Sequence, residues 1–170
     1  MKTILIAISA LLITGFTFSQ DFDRYENTPG VSSVIINKNM FKLMSKLDLD
    51  SEDKEIQEYV KLINNLEDIK ILKTNDSKMS EELNGDAKSY IKNNNLEELM
   101  RANEDGKRVS FHFKPGKTDD EIKQLFMHIN GIDNENETVV IIINGLIDLR
   151  QVSKLANDLK VPGANSMNKK

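Results

Sequence analysis

The sequence predicts an α+β domain: an antiparallel or mixed sheet of about five or six strands with three or four helices packed mainly on one face. Three observations carry that reading. Apolar residues recur at helical spacing through much of residues 51–93, then switch to strand-like alternation after Leu96. Asp105-Gly106 separates two alternating stretches, and an Asp-Gly pair supplies the positive φ that a tight hairpin turn requires. Val139 to Ile143 is a continuous apolar, wholly β-branched run of the kind that fills a buried strand.

Taken from the start, the chain opens with the three parts of a secretory signal. Lys2 is positive, Ile4 to Phe16 is apolar, and small Thr17 and Ser19 stand at the minus-three and minus-one positions of a cleavage site before Gln20. About thirteen apolar residues make a helix about 20 Å long, short of the roughly 30 Å hydrocarbon core, so cleavage rather than anchoring is expected. Residues 1–19 are therefore expected to be removed and the mature chain exported, to the periplasm or beyond. With no cysteine anywhere, the chain has no site for a lipoprotein anchor, a disulfide, a thiolate metal site or a cysteine nucleophile. No later apolar run approaches membrane-spanning length.

Residues 20–30 form a polar segment in which Phe22 and Tyr25 are placed to pack as a short helical turn. Thr28-Pro29-Gly30 breaks it and launches a β-branched strand at 31–36, expected to be buried. Asn37 is a plausible N-cap for a short helix bearing Met40, Phe41, Leu43, Met44 and Leu47. A second helix at 52–64 carries Ile56, Tyr59, Val60 and Ile63 on one face, and a strand at 67–74 follows. Asn75 and Asp76 then cap a helix over 77–93, with Met79, Leu83, Ala87, Tyr90 and Ile91 inward. Gly85 costs that helix about 1 kcal/mol relative to alanine without breaking it.

Strands are expected at 96–103 and 107–114. In the latter, Val109, Phe111 and Phe113 alternate with Arg108, Ser110 and His112, so the second set is expected to face water. Periodicity alone fits residues 121–129 to a helix and to a strand equally well. The polar stretch 130–137 forms a turn before a strand at 138–144. Asn144-Gly145 is expected to turn the chain into a helix over 148–159, stopped by Val161-Pro162-Gly163. The domain thus occupies 31–161, with 162–170 as a tail.

Phe22-Asp23-Arg24-Tyr25, Gly30-Val31-Ser32-Ser33-Val34, Asn39-Met40-Phe41-Lys42-Leu43-Met44 and Asn144-Gly145-Leu146-Ile147-Asp148-Leu149 together give the chain its family look. In these segments it resembles the DUF4252 family, small exported bacterial proteins of unknown function. The resemblance implies export and a strand at 121–129. It brings no activity, cofactor or catalytic residue.

Functional chemistry is sparse. Losing Lys2 with the leader takes the formal charge from −4 to −5, and no Lys/Arg stripe is present, which argues against nucleic acid. His112 and His128 are the only histidines; they are expected to point outward from their strands and not to face each other, with His112 opposite a residue near 123. Asp133, Glu135 and Glu137 alternate like calcium ligands, but the loop lacks the glycine and bidentate Glu of a calcium-binding loop, so a solvated turn is the better reading. Asp48, Asp50, Glu52 and Asp53 suit the first turn of a helix. No nucleophile elbow and no phosphate-cradling glycine loop is present. No catalytic residue, cofactor or metal is therefore assigned. The leading expectation is a non-catalytic binding or interaction module of the envelope, accessory to envelope signalling, with an envelope protein as partner. The alternatives are a small-ligand or lipid binder using an apolar face with Phe111, Phe113 and Met127, and a carboxylate-based hydrolase.

Overall fold

The computed structural model describes residues 22–47, 54–104, 106–118, 120–131 and 137–148. The expected leader at 1–19, the expected helix beyond residue 148 and the expected tail at 162–170 lie outside them. A single turn of 3-10 helix at Phe22–Tyr25 precedes strand β1 (Val31–Asn37), helices α1 (Lys38–Leu47) and α2 (Lys54–Asn64), and strand β2 (Leu66–Thr74). Helix α3 (Ser77–Asn93) leads to β3 (Glu97–Glu104), β4 (Lys107–Pro115), β5 (Glu121–Asn130) and β6 (Thr138–Asp148).

The six strands form one antiparallel sheet in the order β1-β2-β6-β5-β4-β3. From β3 onward the chain is a meander, and the Glu104↔Lys107 pair leaves the two-residue Asp105-Gly106 loop expected for the first hairpin. The periodically ambiguous segment is strand β5, as the family resemblance implies. The last strand returns to lie between β5 and β2. Because neighbours alternate in direction, β2 and β3 run the same way at nearly opposite ends of the sheet, so α3 must carry the chain across it. Seventeen residues of helix reach about 26 Å, enough for the four strand spacings, about 19 Å, that separate β2 from β3.

Both faces of the sheet are covered. Adjacent residues of a strand point to opposite faces, and adjacent residues here belong to different cores. Leu125, Met127 and Ile143 pack with Phe111 and Val109 against Phe41 of α1 and Ile63 of α2. Phe126, Val140 and Ile142 pack with Leu72 against Leu83 and Ala87 of α3 and against Phe22 and Tyr25. The expectation of helices mainly on one face gives way to a division, with α1 and α2 on one side and α3 on the other. Its cause is the connectivity: α1 and α2 link the adjacent strands β1 and β2, whereas α3 is the crossover.

Local chemistry explains the element boundaries. Asn37 Oδ1 accepts from the backbone N–H of Asn39 and Met40, at 3.1 and 3.3 Å, and so caps α1. Asp76 caps α3 by accepting from the Met79 N–H at 2.9 Å. Phe22 and Tyr25 are buried as expected, with Phe22 5.2 Å from the Tyr90 ring in an edge-on contact and Tyr90 stacked on Phe126, also at 5.2 Å. Tyr25 donates to Asp86 of α3 at 2.7 Å, and Arg24 pairs with the same carboxylate, so the N-terminal turn is bolted to the crossover helix.

Asn144-Gly145 does not turn the chain; β6 continues through it to Asp148, the residue expected to open a helix. Gly145, at φ +140°, sits where β6 bends past β2, and Leu146 donates its N–H to Asn65 O at 3.0 Å. The pairing registers on both sides shift there, between Leu66 and Asp68 and between Ile122 and Gln124. A Cβ at position 145 would lie 2.5 Å from Asn65 O and 2.6 Å from Leu66 Cα, both backbone atoms. Gly145→Ala is therefore expected to cost about 2–4 kcal/mol, the range of a buried strained position. Urea unfolding followed by circular dichroism checks this, and an unchanged midpoint would remove the close approach.

Candidate functional site

The sheet face beneath α3 holds the only two histidines of the chain. His128 of β5 lies directly opposite Ser110 of β4, and His112 of β4 lies opposite Phe126. Directly paired residues share a face, so both imidazoles lie on the α3 side, one diagonal step apart. Both are buried, as is Ser110. This corrects the reading of Ser110 and His112 as wet and of the histidines as outward, and His112 lies opposite Phe126 rather than a residue near 123; the histidines do not face each other, as expected, and Arg108 of the same set is exposed. Alternation located the two faces of β4 correctly, but the middle of this face is buried on the α3 side and only its ends, at Arg108 and Lys114, meet water.

α3 supplies the partners of His128. Its Nε2 lies 2.6 Å from Asn84 Oδ1. Asn84 uses its amide NH2 on Thr138 Oγ1 at 3.0 Å, and Thr138 Oγ1 is 2.5 Å from Ser80 Oγ. With the Asn84 nitrogen donating, its oxygen accepts, so the His128 Nε2 carries a proton. Burial, the largest cause, together with the charges of Lys88 and Arg108 and the neighbouring His112, pushes the His128 pKa down to about 4. His112 is also pulled below its ordinary value by burial, against the upward influence of Glu98, whose Oε2 is 3.9 Å from its Nε2. The His112 Nδ1 has no hydrogen-bond partner.

A second polar chain runs across the same face. Gln124 bonds Tyr90 Oη of α3 at 3.0 Å and donates to Asn144 Oδ1 at 2.7 Å, and Asn144 donates to Asp68 Oδ1 at 2.9 Å. These groups join β5, β6 and β2 to α3. As an arrangement the whole set clamps the crossover helix through a neutral imidazole, a tyrosine hydroxyl and several amides. No group of three metal-ligating side chains occurs among the described residues.

The residues singled out by sequence fall elsewhere. Phe111 and Met127 face each other across β4 and β5, buried in the core against α1 and α2, and Phe113 packs half-buried at its margin. Glu137 is buried and paired with Lys73, and its carbonyl accepts the Gly131 N–H at 2.8 Å, so it closes the ends of β5 and β6. Asp133, Glu135, Asp48, Asp50, Glu52 and Asp53 lie outside the described residues. No described helix is long and apolar enough to cross a membrane.

What sequence reasoning missed is at the sheet's edge. β1 was expected to be a buried strand, yet it is an edge strand paired, among the described residues, with β2 alone. Val34 is 52% exposed and Ile35 43%, and Met40 and Leu43 of α1 are comparably exposed. Four of the five large apolar side chains exposed among the described residues thus fall within ten consecutive positions. Edge strands are ordinarily blunted by charge, proline or a bulge. β1 has none of these, whereas β3, the other edge, carries Glu97, Glu98, Arg101 and Glu104 and a register shift between Glu98 and Met100. The missing signal was the absence of charge from 31–37, which reads the same for a central strand and for an edge kept open.

A family model described as a domain of unknown function (DUF4252) matches residues 25–155. No curated protein and no solved structure matches the chain.

The burial of His128 sets a pH dependence. The folded state holds the imidazole neutral down to about pH 4, whereas in the unfolded chain it takes up a proton below about pH 6.5. Its contribution is thus fully present above pH 6.5 and is lost as the pH falls toward 4, amounting to about 3 kcal/mol across that window. Unfolding free energies at pH 7 and pH 4 are expected to fall less for His128→Gln than for the parent, by about that amount. Equal losses in the two proteins would contradict the buried neutral imidazole.

Proposed function

We propose that this chain, which belongs to the DUF4252 family, is a non-catalytic interaction module exported to the bacterial envelope, with the β1 edge as its docking strand. The observation that carries the docking role is the asymmetry of the two sheet edges. An extended segment laid beside β1 would satisfy its outer N–H and C=O groups, and Val34 and Ile35, pointing to opposite faces, would give it an apolar grip on either side. Supporting the non-catalytic part, two of the titratable groups beneath α3 are engaged in holding the helix: His128 on Asn84 and Tyr25 on Asp86. Supporting export, the first nineteen residues carry a positive start, an apolar centre and small residues before Gln20.

Each half has its own test. Intact-mass measurement of the protein recovered from cells is expected to find Gln20 as the first residue, and a retained Met1 would remove the export reading. A photo-crosslinking amino acid at position 35 is expected to give a protein adduct in cells, while the same probe at Glu98 on the opposite edge gives none. No adduct at 35, or equal adducts at both edges, would end the docking-strand reading.

A further inference from the structure

Resting on β1 as a docking edge, we infer that its occupant is a second copy of this chain, paired β1 to β1 in antiparallel fashion about a two-fold axis. Such self-pairing is demanding, because each residue meets the one equally far on the other side of the axis and any clash occurs twice. The register that uses all seven residues of β1 sets Val34 on the axis against Val34 of the second copy. Ser33 then faces Ile35, Ser32 faces Ile36, and Val31 faces Asn37. Nothing in this seam is charged, so no like-charge contact arises in this register or in one slipped along it.

The other edge meets like charges in its full register. Pairing all eight residues of β3 with their copies would set Glu97 against Glu104 at both ends of the seam. The full register of β1 is free of like charges while that of β3 is not, which favours an assembly that closes at two chains through β1. The sheet of each chain becomes continuous with that of the other. A seven-residue seam together with the exposed parts of Val34, Ile35, Met40 and Leu43 buries on the order of 1,000 Å² over both copies, the lower bound for a specific interface. A dimer of that size is specific but dissociable.

The absence of cysteine makes the geometry directly testable. Cα atoms directly opposite across an antiparallel pair are about 4.5–5.5 Å apart, within reach of a disulfide. The full-length chain bearing Val34→Cys is expected to form a covalent dimer under mild oxidation. Ser32→Cys, which meets Ile36 rather than itself, and Glu98→Cys on the other edge are expected to remain monomeric. Sedimentation should show the parent dimerising as its concentration rises through the micromolar range, and Val34→Lys, which opposes two ammonium groups on the axis, staying monomeric with an unchanged melting temperature. A parent that is monomeric throughout, or a Val34→Cys chain that cross-links no faster than Glu98→Cys, overturns the second-copy assignment. An adduct to another protein at position 35 in that case leaves the docking edge standing with a different occupant. Silence at position 35 as well removes both.

Discussion

The fold depends on β6 being covered from both sides. This strand lies between β2 and β5, and its successive residues feed two cores: Val140 and Ile142 go to the α3 side, Ile143 and Ile147 to the side of α1 and α2. A strand that is apolar on both faces cannot lie at the surface. The uninterrupted run from Val139 to Ile143 therefore forces a helix onto each face. Much else follows, including the crossover path of α3, the burial of both faces of β4 and β5, and the withdrawal of two histidines from water.

What could be read in the residues was local. The caps at Asn37 and Asp76, the hairpin that pairs Glu104 with Lys107, the inward stripe Leu83, Ala87, Tyr90 and Ile91, and the alternation of β4 are each set within a few positions, and each is present in the structure. Strand order and the assignment of helices to faces depend on which strand β6 joins, and no short stretch encodes that. Asn144-Gly145 shows the limit sharply. The dipeptide has the composition of a turn, but the glycine serves an approach of β6 to the backbone at Asn65 and Leu66, far away in sequence.

The polar face was illegible for a related reason. Alternation correctly grouped Ser110 and His112 together, and sequence logic gave that group to solvent because polar residues on a strand usually face it. Here Asn84, Ser80 and Tyr90 of α3 take the place of water as hydrogen-bond partners of His128, Thr138 and Gln124. These residues lie on the same helix as the apolar stripe and read from sequence only as ordinary polar positions. The β1 edge was hidden by the reverse effect. Val34 and Ile35 carry the composition of interior residues, and only the topology shows that β2 flanks the strand on one side.

The placement of β6 has a consequence for how the chain is assembled. β1, α1, α2 and β2 can form a hairpin-like unit early, and β3, β4 and β5 can form a meander on their own, since each pairs within a short span of chain. The two units share no strand until the final one slots between them. Until residues 138–148 have been synthesised, β2 and β5 each present a raw inner flank, so the N-terminal portion cannot reach its finished state ahead of the C-terminal portion. A chain built in this order stays loosely organised until it is almost complete.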